Sequence, residues 1–163
     1  MNKTFLILAL GSSLALSAQN PDMGVQAALS LPTNDLSDNA NFGLQMGGHL
    51  QWDFHGGHGL MARADLTFYT SNHGTSVNNL AAAADYTYHF ETQHHGPYVL
   101  AGLSLANYHT SFPNSSHNDS GLGIDLGGGY ELDRHLGLQA RYTSNSTSPG
   151  TYSALNLGVT YKF

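Results

Sequence analysis

The sequence predicts an all-β chain folded as an eight-stranded, antiparallel, up-and-down transmembrane β-barrel. Three observations carry this expectation. Apolar and polar side chains alternate with a period of two from Asp22 to the last residue, turn residues break the alternation at short intervals, and charged residues make up only 10% of the 163-residue chain. Side chains at i, i+2 and i+4 of an extended strand share one face, so this period marks a series of strands, each with one apolar side. Soluble domains carry roughly 25% charged residues, and a chain with so few has little to coat a water-facing surface.

The N-terminus reads as an address rather than as part of the fold. Met1-Asn2-Lys3 is a short positive head, Phe5 to Leu16 an apolar run and Ala15-Leu16-Ser17-Ala18 a small-residue cleavage region, the three parts of a secretory signal peptide. The run is too short to span a bilayer as a helix, and Ser12-Ser13 interrupts it. Residues 1–18 are expected to be cleaved, after Ser17 or Ala18, leaving 19–163 as one barrel domain.

The first strand is expected from about Met23 to Leu31, with Val25, Ala27 and Leu29 on one face and Gly24, Gln26 and Ser30 on the other. Pro32 to Asn41 reads as a polar loop. In the second strand Phe42, Leu44, Met46, Leu50, Trp52 and Phe54 alternate with Gly43, Gln45, Gly47, His49, Gln51 and Asp53. The turn His55-Gly56-Gly57-His58 leads to a third, where Leu60, Leu66 and Phe68 oppose Arg63, Asp65, Thr67 and Tyr69. After a loop at 71–78, the fourth sets Leu80, Ala82, Ala84, Tyr86, Tyr88 and Phe90 against Asp85, Thr87 and His89. The fifth, from Pro97 to about His109, is less clean, because Leu100 falls on the polar face. Thr110 to Ser120 reads as a loop. The sixth sets Leu122, Ile124, Leu126 and Tyr130 against Gly123, Asp125, Gly127, Gly129 and Glu131, and the seventh Leu136, Leu138 and Tyr142 against Gln139 and Arg141. Ser144 to Tyr152 is the last loop, and in the final strand Leu155, Leu157, Val159, Tyr161 and Phe163 alternate with Asn156, Gly158, Thr160 and Lys162. Loops after strands one, three, five and seven are thus expected to be the longer set.

Composition decides which face meets lipid. The polar face holds too few Lys and Glu to meet water and is crowded with Gly43, Gly47, Ala81, Ala83, Gly121, Gly123 and Gly127, the small residues that the narrow interior of an eight-stranded barrel needs. Trp52, Phe54, Tyr88, Phe90, Tyr130, Tyr161 and Phe163 gather at one rim, where aromatic rings favour the headgroup level, and Phe42, Phe68 and Tyr142 mark the other. No charge falls on a lipid face. Arg63, Arg141 and Lys162 instead share the interior with Asp65, Asp85, Asp125 and Glu131, and with His49. A buried unpaired charge is strongly unfavourable, so a hydrogen-bonded ionic network filling the lumen is expected. Symmetric turns about Gly74 and Gly57 would put Arg63 opposite Asp85 and His49 opposite Asp65.

Other chemistry is thinly supported. Cysteine is absent, which leaves no thiol site, and the few cations are too scattered for a nucleic-acid footprint. No cofactor is expected. Of the ten histidines, His55, His58, His94 and His95 cluster in turns and offer imidazoles to a transition metal, although simple solvent-exposed turn residues are the plainer reading.

The final strand, apolar outside and closing on Tyr161-Lys162-Phe163, the Gly127-Gly128-Gly129-Tyr130 run and the strand period together resemble the OmpA/OmpX-type small outer-membrane barrels of Gram-negative bacteria. The resemblance implies an outer-membrane protein with both termini periplasmic, surrounded by lipid and lipopolysaccharide, monomeric, and delivered to the barrel-assembly machinery through Phe163. It implies a structural or surface-interaction role rather than an enzyme. One alternative is a lipid A acyl hydrolase, since the deacylase type uses a His-x-Ser pair with an acid on a neighbouring strand, and His109-Thr110-Ser111 has that spacing. Its nearest acids, Asp119 and Asp125, are assigned to a loop and to the lumen. A narrow small-solute pore is the other alternative.

Overall fold

The computed structural model describes residues 20–38, 40–71, 76–91, 95–112, 115–148 and 150–163. The leader expected over residues 1–18 lies outside them. Eight strands, β1 (Asp22–Asn34), β2 (Ala40–Asp53), β3 (His58–Ser71), β4 (Ser76–His89), β5 (Gly96–Phe112), β6 (Ser115–Glu131), β7 (Leu136–Ser146) and β8 (Thr151–Lys162), follow in sequence order. Each pairs antiparallel with its neighbours, and β1 closes on β8 from Gly24↔Lys162 to Asn34↔Tyr152. Closure leaves no strand unpaired along the body of the barrel, so every ladder donor there finds an acceptor without water, as a bilayer requires.

The alternation has the expected sense. Leu44, Leu66, Leu80, Leu103, Leu122, Ile124, Val159 and Phe163 are exposed on the outer wall, whereas Arg63, Asp65, Asp85, Asp125 and Arg141 are buried inside. Glycine makes this enclosure feasible. A Cβ on Gly127 would lie 2.9 Å from the Cα of Arg141, and one on Gly102 would lie 2.7 Å from the Cα of Asp85, so the backbone approaches each charged residue at a distance no other amino acid tolerates. The outer apolar row that begins at Leu80 in β4 runs ten residue steps, to Phe90 just past the strand end. At about 3.3 Å per residue and a tilt near 40° it covers about 25 Å, the height of an outer-membrane apolar band.

Two expectations are corrected. Arg63 lies opposite Ala83, and His49 opposite Arg63, so both registers are displaced by two residues from the symmetric-turn estimate. Between β2 and β3 the turn is a 3-10 segment over His55–Gly57 with left-handed φ at Gly56 and Gly57, closed by the Phe54 amide donating to the His58 carbonyl at 2.7 Å. It centres one residue earlier than expected, and an even displacement keeps every side chain on its face. The long loops are also shorter than expected, because β5 and β6 pair as far as Phe112↔Ser115 and β7 and β8 as far as Ser146↔Thr151. A backbone ladder needs no apolar side chains, and the Ser, Thr and Asn residues of these stretches extend the sheet into polar surroundings.

Leu103 sits near the middle of the apolar band, level with Ala84. Leu103→Arg is expected to destabilise the barrel by about 2–4 kcal/mol in lipid vesicles, against about 0–1 kcal/mol for Ser120→Arg above the band; equal effects in urea titrations would show that the outer wall does not face hydrocarbon.

Candidate functional site

Chemistry-bearing side chains gather at three levels. At mid-barrel, Arg63 of β3 is held by three carboxylates. Its Nε donates to Asp85 at 2.6 Å, one terminal nitrogen donates to Asp125 at 2.5 Å and the other is bonded to Asp65. Asp85 is opposite Met61, one inward position from Arg63, and the long guanidinium stem covers that diagonal. Arg141 comes from the far wall, donating to Gln45 at 2.8 Å, Gln139 at 2.8 Å and Asp65 at 3.2 Å. Thr143 donates to Asp125 at 2.5 Å, and Gln26 to Asp65. Two guanidinium groups and three carboxylates therefore form one enclosed cluster.

Toward the mouth where β1 begins and β8 ends, Lys162 donates to Glu131 at 2.5 Å and His89 approaches the same oxygen at 3.4 Å. His49 is buried over Gly24. Leu100, the apolar intruder on the polar face, packs with Met61 and Tyr98 between these two ionic groups. At the opposite mouth a cluster that the sequence reading missed fills the interior: Leu36, Ala40, Tyr69, Val77, Ala81, Tyr108 and Ala154, with Tyr152 against them. Tyr69 shares a 3.0 Å hydrogen bond with Ser30, and Tyr108 accepts one from Asn145 at 3.0 Å, so each phenol is satisfied while its ring stays dry. The signal was present in the inward row, where Tyr69, Val77 and Tyr108 stand among polar neighbours.

The turn histidines line the outer rim at the terminal mouth. His58 shares a 2.5 Å hydrogen bond with Tyr86 and lies against Tyr88, His95 donates to the Leu132 carbonyl at 3.1 Å beside Tyr130, and His135 donates to the Lys162 carbonyl at 2.9 Å while stacking on Tyr161. Each is spent on an aromatic neighbour, and among the described residues no three His, Asp or Glu side chains converge in a metal-binding arrangement. His55 is exposed in the 3-10 turn, and His94 lies outside the described residues. Asp133, in the β6–β7 turn, accepts from the His135 and Leu136 amides at 2.7 and 2.8 Å, which holds its carboxyl below the usual carboxylate range.

His109 and Ser111 do meet, but on the outer wall. The Ser111 hydroxyl donates to His109 Nε2 at 3.0 Å, and His109 Nδ1 donates to Asn118 Oδ1 at 2.6 Å. Asn118 is the direct cross-strand partner of His109 on β6. Asp119 points the other way, into the barrel, and meets His117 at 3.1 Å.

Residues 4–163 match the family described as outer membrane protein beta-barrel domain. The chain belongs to that family. It is an integral outer-membrane protein. Similar solved structures include Neisserial surface protein A, with 22% identity, a TM-score of 0.58 and coverage of 90% of this chain and 99% of that one. The attachment invasion locus protein Ail of Yersinia pestis, in complex with the heparin analogue sucrose octasulfate, gives 14% identity and a TM-score of 0.61 over 89% of this chain and 100% of the other. The N-terminal β-barrel domain of Pseudomonas aeruginosa OprF gives 21% identity and a TM-score of 0.58, covering 90% and 100%. At these identities the likeness is one of fold. A search of curated proteins found no match.

Arg63→Leu would leave Asp65, Asp85 and Asp125 without their shared cation. The expected cost is about 3–5 kcal/mol, the scale for breaking a buried ion pair from one side, measured as a fall in the urea midpoint of the refolded barrel; Arg134→Leu, exposed in the β6–β7 turn, is the comparison and should leave it unchanged.

Proposed function

We propose that this outer-membrane barrel has a structural or surface-interaction role, its lumen closed to bulk flow and without chemistry of its own. The observation that carries this reading is the filled cross-section. The Arg63–Arg141–carboxylate cluster occupies mid-barrel, and the Leu36–Tyr69–Tyr108 cluster occupies the mouth above it. Eight strands leave an interior only wide enough for side chains, which also counts against the narrow pore. The end of the barrel at which β1 meets β2, β3 meets β4, β5 meets β6 and β7 meets β8 is then the surface-facing one, with both termini periplasmic and residues 1–18 removed as a leader. Phe163, outward and exposed with its amide donating to the Met23 carbonyl at 2.9 Å, is the residue offered to the assembly machinery. Lipid and lipopolysaccharide surround a monomeric barrel.

Charge narrows the surface partner. Of the five Lys and Arg residues, Arg63, Arg141 and Lys162 are buried in the lumen, Arg134 sits in a turn at the terminal mouth and Lys3 belongs to the leader. The hairpin end of the described residues carries Asp35, Asp38 and Asp119 without a cation. A polyanion such as the heparin analogue bound by the Yersinia protein has nothing to pair with here, so the reading favours a neutral or cationic partner.

The chain has no cysteine of its own, which makes single-cysteine labelling direct. Ser148→Cys at the hairpin end is expected to react with a membrane-impermeant maleimide on intact cells and Arg134→Cys only after lysis; the reverse pattern would invert the orientation. Purified protein in planar bilayers should give no conductance steps, and regular steps from the unmodified chain would overturn the closed lumen.

A further inference from the structure

We propose that Ser111, His109 and Asn118 form a hydrolytic site on the outer wall, in addition to the scaffold role, and that it cleaves carboxylic esters presented above the hydrocarbon. The geometry supplies a nucleophile, its base and a group that orients the base. Ser111 Oγ is 3.0 Å from His109 Nε2, hydrogen-bond reach for a nucleophile and its base. Asn118 Oδ1, 2.6 Å from His109 Nδ1, fixes the tautomer that leaves Nε2 free to take the serine proton. The sequence reading set an enzyme aside for want of an acid, but an asparagine amide oxygen orients an imidazole without charge. Strand pairing makes the arrangement rigid. His109 lies between Asn78 and Asn118, and Ser111 between Ser76 and Ser116, all in the outward row of adjacent strands. Ser76 and Ser116 flank the nucleophile directly on the two neighbouring strands.

Height selects the substrate. The last outward apolar residue of β5 is Leu105, four residues below His109 and six below Ser111. At about 3.3 Å per residue and 40° of tilt, the nucleophile stands about 15 Å above the apolar band, beyond the glycerol linkages of ordinary lipids. Esters on a polar head, or on a soluble molecule, reach it. The reaction balances as acyl transfer. Ser111 Oγ attacks the carbonyl carbon as its proton passes to His109 Nε2; the C–O bond to the alcohol breaks, and the alkoxide leaves with that proton. Water then attacks the acyl-serine, giving a proton to Nε2, and Ser111 recovers it as the carboxylic acid departs. Ser111 and His109 are the catalytic residues, and Asn118 is a positioning residue.

Full-length barrel refolded into vesicles would be treated with an alkyl fluorophosphonate, then assayed on p-nitrophenyl butyrate in solution, on vesicles doped with a headgroup-acylated phospholipid, and on plain phospholipid. The expected results are an adduct on Ser111 by peptide mass spectrometry and hydrolysis of either of the first two substrates. Ser111→Ala and His109→Ala should each lose at least about 100-fold. Asn118→Leu should lose about 10-fold or more, whereas Asn118→Asp should restore the rate and move the midpoint of the pH–rate profile upward, which a merely structural residue would not do. Which of the first two substrates is cleaved identifies the source of the ester. No Ser111 adduct, an unchanged rate in Ser111→Ala, or cleavage confined to plain phospholipid would overturn the proposal, and none of these outcomes bears on the closed lumen.

Discussion

Enclosing two guanidinium groups at mid-barrel is the constraint on which the rest of the structure depends. Arg63 and Arg141 are both buried and share Asp65, with Asp85 and Asp125 completing the cluster. Removing such charges from water costs several kcal/mol each unless carboxylates and amide oxygens meet them. Meeting them fixes much else. The carboxylates must come from β3, β4 and β6, the amides from β2 and β7, and the strands between must approach closely enough for the groups to touch. Glycine at 102 and 127 permits that approach, and the outer wall inherits the apolar half of every strand because the inner half is spent on the cluster.

Which residues face in was readable from the chain because a period of two leaves only two choices, and the scarcity of charge selects between them. The inward facing of Arg63, Arg141, Lys162 and the spanning carboxylates was readable for the same reason: a bilayer leaves a spanning charge only the interior. Register was not readable to better than two residues, since it depends on where the His55–Gly57 turn centres, and a shift of two leaves the pattern of faces unchanged. Arg63 reaches Asp85 despite the shift because a long side chain spans a diagonal pair.

The hairpin end was read less well, for two physical reasons. Serine, threonine and asparagine lack the apolar contrast that reveals a strand, yet their backbones pair as well as any, so Thr110 to Ser120 appeared as a loop when most of it is ladder. That error concealed the partner of His109. Once β6 is extended to Ser115, parity turns Asp119 inward and Asn118 outward. The apolar mouth around Leu36 and Tyr108 escaped notice because the inward row was taken to be polar throughout. The interior carries packed rings at one level and a salt cluster at the next.

The uneven hairpins have a consequence of their own. The β6–β7 ladder ends at Leu122↔Ser146, whereas β6 continues, paired with β5 alone, to Ser115. Among the described residues this segment has no strand on its second side and forms a sheet edge above the rim. Inward-pointing charge discourages unwanted pairing at such edges, and the buried carboxylate of Asp119 supplies it here. A visitor docking as an added strand would be read by its peptide backbone before its side chains, a mode of recognition that tolerates sequence change in the guest.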